Sequence, residues 1–218
     1  MDADNRKIPS HEVTYTRLRD MILYGHLAPG APVTIQGLIA DLGAGMTPVR
    51  EAIRRLTAEG ALLPQGNRRV AVPELSAEML DQVAFARLSI EPRLAELAAP
   101  RLTPEQIDRL EVIDGAVNRA IEAGNLPDYL AANHAFHFAL YEAAGAPVLL
   151  DLVRSLWLRA GPSLRAVIDR YGRETAPDLH REALAAMRAG DAKALSAAIE
   201  QDIQQGLDHV RQALAEEP

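Results

Sequence analysis

Two groups of residues in this 218-residue chain have types and spacings that could do chemistry. The first is basic: Arg50, Arg54 and Arg55 fall within one helical segment, and Arg68 and Arg69 follow shortly after. Guanidinium groups on one helix face suit a polyanion, and DNA above all. The second group is polar residues set into apolar stripes. Leu130, Asn133, His137, Leu140 and Ala144 share one helix face, His180 aligns with Leu184 and Met187, and Asp202 aligns with Leu195 and Ile199. A buried carboxylate is costly unless paired, and two histidines with a carboxylate are a common ligand set for a divalent metal. Taken singly, a lone helical histidine is more often a satisfied core residue. Spacing within one chain does not bring three helices together.

The arginines need an element to present them, and Thr34 to Ala61 supplies it. Ile35, Leu38, Ile39 and Leu42 give a first short helix an inward face, and Gly43-Ala44-Gly45 breaks it. Thr47 is the expected N-cap of a second helix, with Pro48 at its first position and Gly60 at its end. In that helix Val49, Ile53 and Leu56 face a small core, which leaves Arg50 and Arg54 outward. This is a helix-turn-helix layout, in which the second helix enters the major groove. A helix over about Glu12 to Tyr24 precedes it, followed by a turn and an extended piece at Pro32-Val33. After it, Leu62-Leu63 and Val70-Ala71-Val72 flank Pro64 to Arg69, a hairpin with a polar tip beside the recognition helix.

Charge is divided to match. The net charge of −7 is wrong for a DNA binder as a whole, but residues 1–73 hold nine Lys and Arg against seven Asp and Glu. The acidic excess lies in the remainder and should be held away from the phosphates. With no cysteine, disulfides and thiolate zinc fingers are excluded. No apolar run is long enough to span a bilayer, and the N-terminus lacks a signal-peptide pattern, so a cytoplasmic protein with no membrane partner is expected.

The rest of the chain reads as helical. Ser76 caps a helix to about Ser89, Pro92 kinks it or starts the next segment, and Thr103-Pro104-Glu105-Gln106 opens another through a capping box. Further helices span about Pro127 to Ala144, from near Pro147 with a disruption at Gly161-Pro162, Pro177 to Ala189, and Asp191 to about Ala215. Short connections make these an antiparallel bundle of six or seven helices. The expected fold is therefore mostly α: an N-terminal winged helix-turn-helix with a small β-hairpin wing over 10–73, and the bundle over 76–215.

The segments YTRLRDMILYGHLAPGAPVT and DLGAGMTPVREAIRRLTAEGALLPQGNRRVAV resemble the winged helix-turn-helix of the GntR superfamily of bacterial transcription regulators. The resemblance implies that Thr47 and Arg50 contact the operator and that Gly66 lets the wing approach the minor groove. Where the family commonly has Ser-Arg before the Thr-Pro pair, this chain has Gly45-Met46, and Gln36 stands where some members carry an arginine. Arg54, Arg55, Arg68 and Arg69 are the basic residues left to compensate. From Ser76 to Leu214 the chain is similar to the FCD effector domain of the FadR-like branch, on ARLSIEPRLAELAA, NHAFHFALYEAAGAP and LHREALAAMRAGD. Many members hold a metal inside this bundle, and the corresponding positions are Asn133, His137, His180 and Asp202. With Asn for Asp and Asp for His, preference shifts modestly from zinc or nickel towards manganese or magnesium. Arg87 occupies the position of an arginine that often holds an effector carboxylate in related regulators. It is equally placed to pair with Glu91 at i+4.

The expectation is a homodimeric regulator on a palindromic double-stranded operator, responsive to a small carboxylic-acid metabolite and a divalent metal. The alternatives are a metal-dependent hydrolase built on the bundle, and a constitutive DNA-binding protein whose bundle only dimerises. No general base or nucleophile motif supports the hydrolase.

Overall fold

The structure is a computed structural model that describes residues 10–171 and 179–215. The N-terminal part comprises α1 (Ser10–Leu23), β1 (Val33–Thr34), α2 (Ile35–Leu42), α3 (Met46–Ala58), β2 (Leu63–Gln65) and β3 (Arg69–Ala71). The helical part comprises α4 (Ala77–Ala98), α5 (Pro104–Glu122), α6 (Leu126–Ala143), α7 (Pro147–Tyr171), α8 (Leu179–Ala189) and α9 (Ala192–Ala215), with a 3-10 turn at Ala99–Arg101 after α4. The expected start of α8 at Pro177 lies outside the described residues. Among the described residues, no helix is long and apolar enough to cross a membrane.

In the N-terminal part, Leu18 and Ile22 of α1, Leu38 and Leu42 of α2, and Val49, Ala52, Ile53 and Leu56 of α3 close a small core. Thr34 caps α2 by accepting the Gly37 N–H at 3.0 Å, and Gly43 ends it in the left-handed region at φ 58°. The N-cap of α3 differs from expectation. It is Gly45, without a side-chain cap bond, and Thr47 already lies in the first helical turn. Pro48 is tolerated there because the first N–H groups of a helix have no partner inside it.

The extended piece before α2 becomes a third strand. The sheet has the antiparallel order β1-β3-β2, with Val33 opposite Val70 and Leu63 opposite Ala71. At the tip of the wing the left-handed residues are Asn67 and Arg68, at φ 61° and 57°, while Gly66 lies outside that region. The Ile35 N–H donates to the Arg68 carbonyl at 3.2 Å, which ties the tip to the start of α2.

Among the described residues the helical part forms a bundle of six helices, and no new segment starts at Pro92 or Gly161-Pro162. α4 runs unbroken through Pro92, and α7 through Gly161-Pro162. An interior proline forfeits one backbone hydrogen bond. Here buried faces hold the helix: Leu80, Val83 and Ala84 before and Leu94 and Ala95 after Pro92 on α4, and Val153, Trp157, Leu158 and Ala160 before Gly161-Pro162 on α7. The Thr103–Gln106 capping box forms in both directions and opens α5. α9 packs along α4 and α8, so the histidine of α8 and the carboxylate of α9 are set facing the centre.

Candidate metal centre and DNA-facing surface

Three helices converge on one cluster. His137 of α6, His180 of α8 and Asp202 of α9 offer ligand atoms that all lie within 4.8 Å of one another. His137 Nε2 lies 3.1 Å from Asp202 Oδ2, and His180 Nε2 lies 3.9 Å from Asp202 Oδ1. These are close to the edges of a tetrahedron around an ion with bonds of about 2.1 Å, roughly 3.4 Å.

The far side of each imidazole decides what the near side can do. His180 Nδ1 sits 3.0 Å from Asp114 Oδ1, so the carboxylate accepts its N–H and leaves Nε2 with the lone pair. That Nε2 is buried without a hydrogen-bond partner. His137 Nδ1 sits 3.1 Å from the Tyr141 hydroxyl, whose own proton is donated to Glu91 Oε2 at 2.7 Å. The phenol oxygen can therefore accept from His137 Nδ1–H, while Nε2 of His137 donates to Asp202 and would give up that proton to an ion. Two imidazoles with Nε2 turned towards one carboxylate, each backed at Nδ1 by a hydrogen-bond acceptor, form the arrangement that metal sites use. The donors present fit a divalent ion.

Electrostatics agree with the geometry. Burial raises the Asp202 carboxyl, but the hydrogen bond with His137 and the nearby His137, His180 and Arg87 outweigh it and hold the group below its ordinary value. Burial and the Glu91 carboxylate push the Tyr141 phenol well above the ordinary range, which keeps it a neutral donor. His137 and His180 are 1% and 6% exposed, so an unpaired charge has little solvent to draw on. Phe136 stacks on the His180 ring at 4.0 Å and fixes its plane.

Asn133 stands one turn before His137 on α6, half-buried, and its amide makes no hydrogen bond among the described residues. Arg87 is 4% exposed and pairs with Glu91, its Nε 2.6 Å and Nη2 3.3 Å from the carboxylate oxygens. The i+4 pair considered from the sequence thus forms, but in the interior, beside the cluster. Burial lowers the Arg87 guanidinium, and the Glu91 charge and hydrogen bond more than restore it. Trp157 Nε1 donates to the same Glu91 oxygen at 3.1 Å and its ring lies 4.6 Å from the Arg87 guanidinium carbon. Asp114 and Glu91 join the cluster beyond the residues expected from the sequence. Asp114 interrupts the stripe Ile107, Leu110, Val117 on α5, the same signal that marked Asp202.

On the N-terminal surface, Gln36, Thr47, Arg50, Gly66, Arg68 and Arg69 are all exposed. Arg50 has no ion pair or hydrogen bond from its side chain among the described residues. Arg54 pairs with Glu51 on its own helix. Arg55 is more heavily committed: it lies 3.7 Å over the Tyr15 ring and bonds Glu12 and Glu59, which orients it towards α1. Arg159 of α7 donates to the carbonyl of Glu59 at 3.3 Å, at the C-terminal end of α3. The cation there meets the negative end of the helix dipole. α1 also lies against α7, and Tyr24 meets His134 edge-on at 6.1 Å. His134, which faces away from the cluster, stacks on Phe138 and touches Trp157.

Comparison with known proteins fits this architecture. Residues 11–72 match the family of bacterial regulatory proteins named gntR, and residues 82–205 match the FCD domain. The transcriptional regulator McbR of Escherichia coli K12 is 29% identical over 194 residues, 87% of each chain. The transcriptional repressor RspR of the same organism is 26% identical over 213 residues, 94% of this chain and 90% of its own. The solved structure of E. coli McbR/YncC superposes with a TM-score of 0.89 at 26% identity, covering 95% of this chain and 99% of that one. A GntR regulator from Rhodococcus sp. RHA1, 21% identical with a TM-score of 0.75, shares the fold. These families and relatives are transcription regulators and not enzymes, so the hydrolase alternative falls. The chain belongs to the GntR family of transcription regulators, with a winged helix-turn-helix joined to an FCD domain.

Proposed function

We propose that this regulator is metabolite-responsive, with one divalent ion held by His137, His180 and Asp202 and a small carboxylate-bearing effector bound in the same bundle. The working units are residues 10–73 for DNA and 76–215 for effector binding and dimerisation, in a cytoplasmic homodimer on a palindromic operator. Thr47 and Arg50 at the start of α3 read the operator, Gln36, Arg54, Arg68 and Arg69 supply further contacts, and Gly66 with the wing tip approaches the minor groove. Arg55 contributes through its hold on α1. Asn133, one turn before His137 on α6, would be a fourth, neutral oxygen donor. A bound divalent ion would supply a cationic centre for an oxyanion, and zinc, nickel, manganese or magnesium are the candidates.

The observation that carries this reading is the double role of α7. Trp157 is bonded to Glu91 within the buried cluster, and two residues further on Arg159 holds the end of α3. A shift in α7 on ligand binding therefore bears on the placement of the recognition helix. Only a difference in effector affinity between two arrangements can move that equilibrium.

The experiment is selection of bound genomic fragments by the purified protein, then titration of the best fragment by fluorescence anisotropy with and without metal and carboxylic acids. A palindrome bound far above random duplex, with an affinity that changes on loading, supports the reading. An operator affinity that ignores every metal and acid would leave a constitutive binder with a purely dimerising bundle.

A further inference from the structure

Among the described residues of the bundle interior, Glu91 is heavily bonded. It is 0% exposed, and its two oxygens take Arg87 Nε at 2.6 Å, Arg87 Nη2 at 3.3 Å, the Tyr141 hydroxyl at 2.7 Å and Trp157 Nε1 at 3.1 Å. A bidentate guanidinium, a phenol and an indole N–H converging on one point make an anion seat. Here the seat is filled by the protein's own carboxylate.

The seat is also contiguous with the metal cluster. The Tyr141 hydroxyl touches Glu91 on one side and His137 Nδ1 on the other, so one side chain separates the resident carboxylate from a metal-facing imidazole. Charge then limits what a ligand can bring. Glu91 neutralises Arg87, while Asp202 and Asp114 offset a divalent ion held at His137 and His180. The site is close to balanced before any ligand arrives. One added oxyanion at the ion leaves a single excess negative charge. A second would need a cation, and the guanidinium beside the cluster is already committed to Glu91 on one edge and to the Trp157 face on the other.

We infer that Glu91 is a specificity-determining residue: it occupies the anion seat of Arg87, Tyr141 and Trp157, so the effector carries one acid group and diacids are rejected. This rests on the proposed metal- and acid-binding reading of the bundle. It does not assign the effector carboxylate to Arg87, which can receive one only if Glu91 is displaced.

The test uses two ligands of nearly equal size and shape. The full-length protein is loaded with zinc, dialysed, and titrated calorimetrically with succinamate and with succinate, which differ by an amide for a carboxylate. The expected result is at least tenfold tighter binding of succinamate, with the gap narrowing to within about threefold in Glu91→Gln because succinate gains. Equal or tighter binding of succinate by the wild-type protein overturns the inference while leaving the effector-binding reading intact. If the loaded wild-type protein binds neither succinamate nor propionate, the underlying reading fails and the inference with it. Glu91→Gln leaves Arg87 without its counter-charge, so its fold is checked by circular dichroism. Should it not fold, the wild-type comparison, repeated with malonamate and malonate, decides alone.

Discussion

Replacing Asp114 by alanine tests the metal centre at the residue that never needs to touch the ion. Its Oδ1 lies 3.0 Å from His180 Nδ1, and Phe136 holds the ring plane from one face. Without the carboxylate the imidazole keeps its position but loses the acceptor that places its proton on Nδ1. Removing a hydrogen-bonded partner of this kind weakens metal affinity by about 10- to 100-fold, or roughly 1.4–2.7 kcal/mol. The same change leaves a buried N–H unpaired in the ion-free protein, at about 1–3 kcal/mol. For a chain of this size, 2 kcal/mol lowers Tm by about 4–8 °C. The assay is competition against a chelator of known affinity for zinc and for manganese, with a thermal scan of the ion-free and loaded forms. Asp108→Ala is the control, on the same helix but exposed and paired with Arg188, and should leave both within error. An Asp114→Ala protein that binds both metals within twofold of the wild type, with a Tm drop alone, would refute the role in metal holding and reduce Asp114 to a packing residue.

Further outcomes are expected elsewhere. Arg50→Ala should weaken operator binding by about 1–3 kcal/mol if it reads a base, or lower the salt slope by about one if it meets phosphate; anisotropy across salt concentrations separates these, and unchanged binding would remove Arg50 from the interface. Arg159→Ala, which loses the contact to the end of α3, should leave metal affinity unchanged and reduce the dependence of operator affinity on loading; a fully retained dependence would rule out this route. His134 is held at about 3, first by burial and then by Arg19, His137 and Arg154. Its folded form stays neutral while the unfolded chain protonates below about 6.5, so stability falls as pH drops from about 6.5 towards 3. By pH 5 that loss reaches up to about 2 kcal/mol, and His134→Phe should flatten it in thermal scans at pH 7 and 5. A pH slope equal to the wild type's would show that other groups carry it.

How much of this was legible in the chain depends on the kind of interaction. The helix pair at Ile35 to Ala58 announces itself through Gly43, Pro48 and the Val49, Ile53, Leu56 stripe, because local sterics and burial act over a few residues. The cap of α3 was misplaced by two residues, since Gly45 can take the extended cap conformation that Thr47 was expected to supply. Neither Pro92 nor Gly161-Pro162 ends its helix, because packing on the buried faces of α4 and α7 outweighs the one hydrogen bond each proline forfeits. His137, His180 and Asp202 stand out as polar groups in apolar stripes, and Asp114 carries the same signal on α5.

By itself the sequence determined which segments are helices, which faces of them are apolar, where the basic charge sits and which family the chain resembles. The first three follow from periodicity, capping chemistry and composition, all of which are local, and the resemblance rests on the motifs themselves. Only the tertiary structure decided that His137, His180 and Asp202 meet, that the two imidazoles present Nε2 towards them, and that Arg87 is sealed against Glu91 inside the bundle. It alone set Arg159 against the end of α3. Such contacts join residues up to 100 positions apart, and no spacing along one chain encodes which faces of separate helices will be brought together when the core closes.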